Sequence, residues 1–174
     1  MFVVSVAGAV LAQAQFMLGE QRKAIAALEE MAEIAQQGAV YELYSRAFGP
    51  LALCYAEMEQ NEESLQAAQS CLLGNARACA GYEHWAYWAQ ALVASNTGAP
   101  PEVVDQHIQR SIDLATARGQ QPFLAQAHFY HSRILVRRGD TAAAGAALHR
   151  ATDLFERIGM PGWLAQARRL TLAV

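Results

Sequence analysis

Charge is the scarcest commodity in this chain. Only 17% of its 174 residues are Asp, Glu, Lys or Arg, against roughly 25% in soluble domains, while 53% are hydrophobic. Faces so short of charge have to be covered by an adjacent element, a second copy or the rest of a longer protein. The charge that is present sums to −3, which argues against the basic face of a dedicated nucleic-acid binder. Cysteine is almost missing too. Cys54, Cys71 and Cys79 form no CxxC pair and leave one over from any disulfide. They read as buried, reduced thiols serving as small core residues in a cytoplasmic chain. The uncharged stretch from Phe2 to Ala14 is too short to span a bilayer, so no membrane association is expected. Motifs that announce chemistry are lacking as well: there is no GxSxG, no HExxH, no glycine-rich phosphate loop and no paired Cys–His motif. The expectation is a non-enzymatic protein with no cofactor.

What the chain does have is repetition. Ala24, Ser64, Val104 and Ala144 stand 40 residues apart, as do Leu28, Ala68, Ile108 and Leu148, and Met31, Cys71, Ser111 and Ala151. Each trio has the spacing i, i+4, i+7, one buried stripe of an α-helix. A fixed period of that length means stacked supersecondary units. Alanine, about a fifth of the chain, favours helix and lets helices approach closely. Gly19, Gly38, Gly98, Gly119, Gly139 and Gly159 fall at roughly half-repeat spacing, where a glycine just past a helix end accepts the left-handed conformation that stops it. The pattern predicts helices near 3–18, 21–37, 41–58, 62–74, 81–95, 101–118, 122–138, 141–158 and 161–172. No strand-like alternation persists, so the fold expected is all-α: an antiparallel helix-pair solenoid in a single domain over 1–174. It would hold about four repeats (1–39, 40–80, 81–119, 120–159) and a terminal helix at 160–174.

The joints carry their own signals. Pro101 before Glu102 suits a first helical turn, as does Pro161 after Gly159. Asp140 is placed as an N-cap. A break is expected between Gly74 and Gly81, and a kink or break at Gly49-Pro50. At the N-terminus, Ala12-Gln13-Ala14 resembles a signal-peptidase site, but no basic residue precedes the apolar run. Ala12 and Gln15 hold the places of Ala52 and Tyr55 one repeat later, so this stretch reads as the first helix of a repeat. It is nearly uncharged, whereas a terminal repeat should present a polar cap. An upstream repeat or a second copy covering it, and hence a homodimer, follows as an alternative role. The charge is also uneven: residues 1–100 hold 4 Lys/Arg and 10 Asp/Glu, net −6, and residues 101–174 hold 9 and 6, net +3. Such asymmetry can steer a charged partner or favour head-to-tail association.

Residue by residue, the pairs resemble tetratricopeptide repeats. Phe48, Leu51, Ala52 and Tyr55 with Ser64, Ala68 and Cys71 follow that motif; so do Trp85, Trp88, Ala89 and Leu92 with Val104, Ile108 and Ser111. His128, His131, Ser132 and Leu135 with Ala144, Leu148 and Ala151 follow it without the opening aromatic. The stretches Ser111–Gly119 and Ala151–Gly159 are similar to the long-helix arrays at the C-terminal end of bacterial adenylate/guanylate cyclase–ATPase fusions and large ATP-dependent transcription activators. The resemblance implies a right-handed superhelix and a regulatory scaffold that binds a protein segment, or neighbouring modules of a larger signalling protein. Its groove positions carry over to Gln13, Arg46, Glu57, Glu83, Gln90, Gln126, Phe129, Arg133 and Arg137, with the last two arginines beside Phe129 suited to an acidic peptide. A third reading is a small-molecule sensor built on the aromatic segment Tyr82–Trp88 with His84. His128 and His131 lie one helical turn apart, but no Cys or carboxylate nearby in sequence completes a metal set, so no metal is expected.

Overall fold

A computed structural model describes residues 8, 11, 12, 14–16, 18–77 and 81–171. Among them there is no strand. Beyond the helical residues before Gly19, eight helices follow: α1 (Gln21–Gln37), α2 (Tyr41–Glu57), α3 (Asn61–Arg77), α4 (Glu83–Asn96), α5 (Pro101–Ala117), α6 (Gln121–Arg137), α7 (Thr141–Arg157) and α8 (Pro161–Thr171). Six of these are 17 residues long, so one helix and its joint make a 20-residue tile and two tiles make the sequence period. No helix among the described residues is long and apolar enough to cross a membrane.

Seven of the joints close in one way. In each, an N–H bonds back five residues to a carbonyl, as in Gln60 to Tyr55, Gln120 to Ala115 and Met160 to Phe155, while the residue before it takes positive φ. This closure satisfies a late carbonyl of the helix before each of those seven joints. Glycine holds the left-handed position at 19, 98, 119, 139 and 159, but Ala39 (φ 49°) and Glu59 (φ 60°) hold it at two joints. Gly38 is therefore not the stop expected of it: it stays right-handed at φ −87°, one residue too early. Asp140 caps α7 as its position suggests, its Oδ1 accepting the Ala143 N–H at 3.0 Å. Pro101 and Pro161 each open a helix.

The break expected at Gly49-Pro50 does not occur: α2 runs through both residues. The break expected between Gly74 and Gly81 falls late in that interval, α3 running through Gly74 to Arg77 and α4 opening at Glu83. Both glycines serve close approach. A Cβ on Gly49 would lie 2.9 Å from Trp85 Cβ and 3.2 Å from Cys71 Sγ; one on Gly74 would lie 2.6 Å from Tyr44 Cβ and 2.9 Å from the Ser45 nitrogen. The packing gained across α2, α3 and α4 outweighs the helix propensity lost at single residues.

The chain divides into two compact units, residues 1–104 and 105–174, where the sequence alone reads as one array. In the first, α2 packs on α1, α3 and α4, and α3 packs on α4. Leu28, Leu53, Cys54, Cys71, Trp88 and Leu92 are among its fully buried side chains, each large apolar one worth about 1.5–3 kcal/mol of transfer free energy. In the second, α6 packs on α7 and α7 on α8 around Phe129, Phe155 and Trp163, whose ring centroids are 5.6–6.4 Å apart. The helix crossings in both units use small residues. Ser64 Oγ donates to the Ala52 carbonyl at 2.8 Å, and Ser132 Oγ donates to the Ala144 carbonyl at 2.9 Å. These are the same pair of positions 80 residues apart, with the hydroxyl on the opposite helix.

Candidate interaction groove

The nine groove positions carried over from the repeat do not form one exposed wall. Gln13 lies outside the described residues. Glu83, Gln126 and Phe129 are buried at 8%, 6% and 4% exposure. The Glu83 carboxylate turns inward, where its Oε2 accepts the Gly81 N–H at 2.8 Å. Phe129 is a core ring, set edge-on to Trp163 at 5.6 Å. Arg46 is half-buried with its guanidinium 5.0 Å from the Tyr82 ring. Arg133 is half-buried over Phe129 and Tyr130 at 6.0 and 5.8 Å. Glu57 and Gln90 are half-buried, and Arg137 is exposed. A clamp of two free arginines beside an open phenyl ring is thus not what the second unit presents.

The aromatic segment is mostly core. Trp85 and Trp88 meet at 5.3 Å, His84 and Trp88 at 6.2 Å, and all three are buried. Tyr82 and Tyr87 remain half-exposed. The thiols of Cys54 and Cys71 are free, and burial, reinforced by Glu57 and Glu83 respectively, pushes each up to about 12. At neutral pH both stay protonated and unreactive; Cys79 lies outside the described residues. His128 and His131 are half-buried on α6. Burial, then Arg150 and His131, hold His128 down at about 4. Burial also lowers His131 against the opposing pull of Asp105, which itself pairs with Arg138 at 2.9 Å. Among the described residues no three His, Cys, Asp or Glu side chains converge as a metal site requires.

An open groove of about 290 Å³ lies elsewhere, across α1, α2 and α3 in the first unit. Its two walls have the same helical spacing: Glu29, Ala32, Glu33 and Gln36 from α1, and Glu63, Gln66, Ala67 and Ser70 from α3. The floor comes from α2, one turn at a time, as Phe48, Leu51 and Tyr55. The floor is nearly closed, with Phe48 at 7% and Leu51 at 3% exposure, whereas Glu29, Glu33, Gln36, Glu63 and Gln66 stand exposed on the rim. Tyr55 ties floor to rim, its hydroxyl donating to Glu29 Oε1 at 2.6 Å. Burial first, then that hydrogen bond and the charges of Glu29 and Glu63, raise the phenol, so it remains a donor. Glu33 accepts from the Gln37 amide at 2.9 Å.

None of these residues is among the nine groove positions carried over from the repeat. Phe48, Leu51 and Tyr55 read in sequence as packing residues only, and no motif singles out Glu29, Glu33 or Glu63. The signal that could have found them is two exposed stripes of like spacing on helices flanking an aromatic one. No family model matches the chain, and no curated protein matches it.

Proposed function

We propose that this chain is a protein-interaction module, a stack of helix pairs that offers a groove to a polypeptide segment rather than a site for catalysis. The observation that carries this is the groove across α1–α3, whose apolar floor is built by the packing of α2 and whose rim is polar and exposed. An aromatic floor within a polar rim is the anatomy of a binding hot spot. Because helices supply every lining side chain, the groove is organised before a partner arrives, and little ordering entropy remains to be lost on binding. The resemblance to C-terminal regulatory arrays of bacterial signalling proteins supports a role beside neighbouring modules of a larger protein. Free thiols at Cys54 and Cys71 suit a reducing, cytoplasmic setting.

Gln66→Trp tests the groove directly, since it fills the opening from an exposed rim position. Peptides selected from a random display library on the wild-type chain should lose about tenfold or more in affinity for this variant. Binding that ignores Gln66→Trp would sink the assignment.

A further inference from the structure

We infer that the occupant of the α1–α3 groove is a basic amphipathic segment of another protein. It would set an aliphatic or aromatic side chain against Phe48 and Leu51 while its Arg or Lys side chains reach Glu29, Glu33 and Glu63. This rests on reading the groove as a binding site and adds the chemistry of what fills it.

Carboxylates stand on both walls, Glu29 and Glu33 on α1 and Glu63 on α3, with the apolar floor between them. A segment lying along the floor therefore meets negative charge from either side. Among the described residues no Lys or Arg pairs with any of the three. The contacts they do make are with neutral donors: Tyr55 fixes Glu29 and the Gln37 amide orients Glu33. Those two bonds orient Glu29 and Glu33 without neutralising them, and Glu63 stands in the first turn of α3. Glu29 and Glu33 are also one turn apart on the same helix, a like-charge spacing that weakens a helix slightly and that a bound cation would relieve. The floor matters here, because carboxylates beside low-dielectric apolar surface attract a cation more strongly than carboxylates in open water do. Guanidinium groups fit best, since their planar fork matches a carboxylate with two parallel hydrogen bonds.

The wider field points the same way. Residues 1–104 contain 4 Lys/Arg and 11 Asp/Glu, a net charge of −7. A potential of that sign speeds the approach of a basic segment and repels an acidic one.

Three synthetic peptides of about 12 residues test this, sharing one leucine spacing and carrying Arg, Gln or Glu at the polar positions. Their affinities are measured by fluorescence anisotropy with the full chain at about 50 mM and about 300 mM salt. The Arg peptide should bind at least about tenfold tighter than the Gln peptide, weaken as salt rises, and lose most of that advantage on Glu29→Gln/Glu33→Gln/Glu63→Gln. All three substitutions are at exposed positions, and circular dichroism checks that helix content is unchanged. If the Gln or Glu peptide binds as tightly and Gln66→Trp blocks it, the charge assignment is overturned while the module reading stands. If none of the three binds in a Gln66→Trp-sensitive way, both fall. Wild-type chain that sediments as a dimer while the triple variant sediments as a monomer would give the groove to a second copy and overturn a separate partner.

Discussion

Single residues here are judged by what they touch, and glycine shows it best. Gly74 looks like a helix stop, yet its missing Cβ makes room for Tyr44 and the backbone of Ser45. Gly74→Ala adds a better helix former, worth about 1 kcal/mol in isolation, but forces an atom into contact with backbone. We expect a net loss of about 1–3 kcal/mol, and a thermal midpoint that stays level or rises would rule out the close crossing. His128 carries a pH dependence of definite sign. The unfolded chain protonates it near the ordinary 6.5, while the folded chain holds out to about 4. Between those values the unfolded state binds more protons, so stability falls as pH drops from about 7 toward 4 and levels off below. Because the ring is only half-buried, the loss between pH 7 and 5 is about 1 kcal/mol after solvent screening. Urea midpoints at the two pH values should differ less in His128→Gln than in wild type; equal losses would place the dependence elsewhere.

At the scale of helices and joints, the left-handed position after each helix is the most exposed to design. Glu59 sits there at φ 60°, a conformation that costs a side-chain-bearing residue about 1 kcal/mol relative to glycine. Glu59→Gly should therefore stabilise the chain by about that amount in denaturant titration, despite the added freedom of the unfolded state. A destabilised variant would show that Glu59 makes up its strain through its side chain. Helix positions were largely legible in sequence: the stripe and the stop are local, so 21–37, 41–58 and 101–118 foresee Gln21–Gln37, Tyr41–Glu57 and Pro101–Ala117. The errors at Gly49-Pro50 and Gly74 share a cause. Whether a glycine ends a helix or admits a neighbour depends on the other helix, which no sequence window contains. The groove was hidden for the same reason. Phe48, Leu51 and Tyr55 follow from the repeat, but nothing picks out Glu29, Glu33 and Glu63 until α1 and α3 are seen to flank α2.

For the molecule as a whole, the relevant fact is that each unit carries its own core. Phe129→Ala removes a ring from the aromatic cluster with Phe155 and Trp163, a change that typically costs 3–5 kcal/mol, or about that. Phe129 and Trp163 share the second unit's core, so the loss should appear first at Trp163. With Trp85 and Trp88 replaced by Phe, the remaining indole reports the second unit alone. Its unfolding midpoint should fall further than helix content does as a whole; coincident curves would mean the chain unfolds in one step. The uniform joints have a different consequence, which concerns inheritance. Since seven joints share one hydrogen-bond closure and most helices share one length, a gene segment copied or lost in multiples of 40 codons would join like to like. Such a chain can change its length between generations without inventing a new turn.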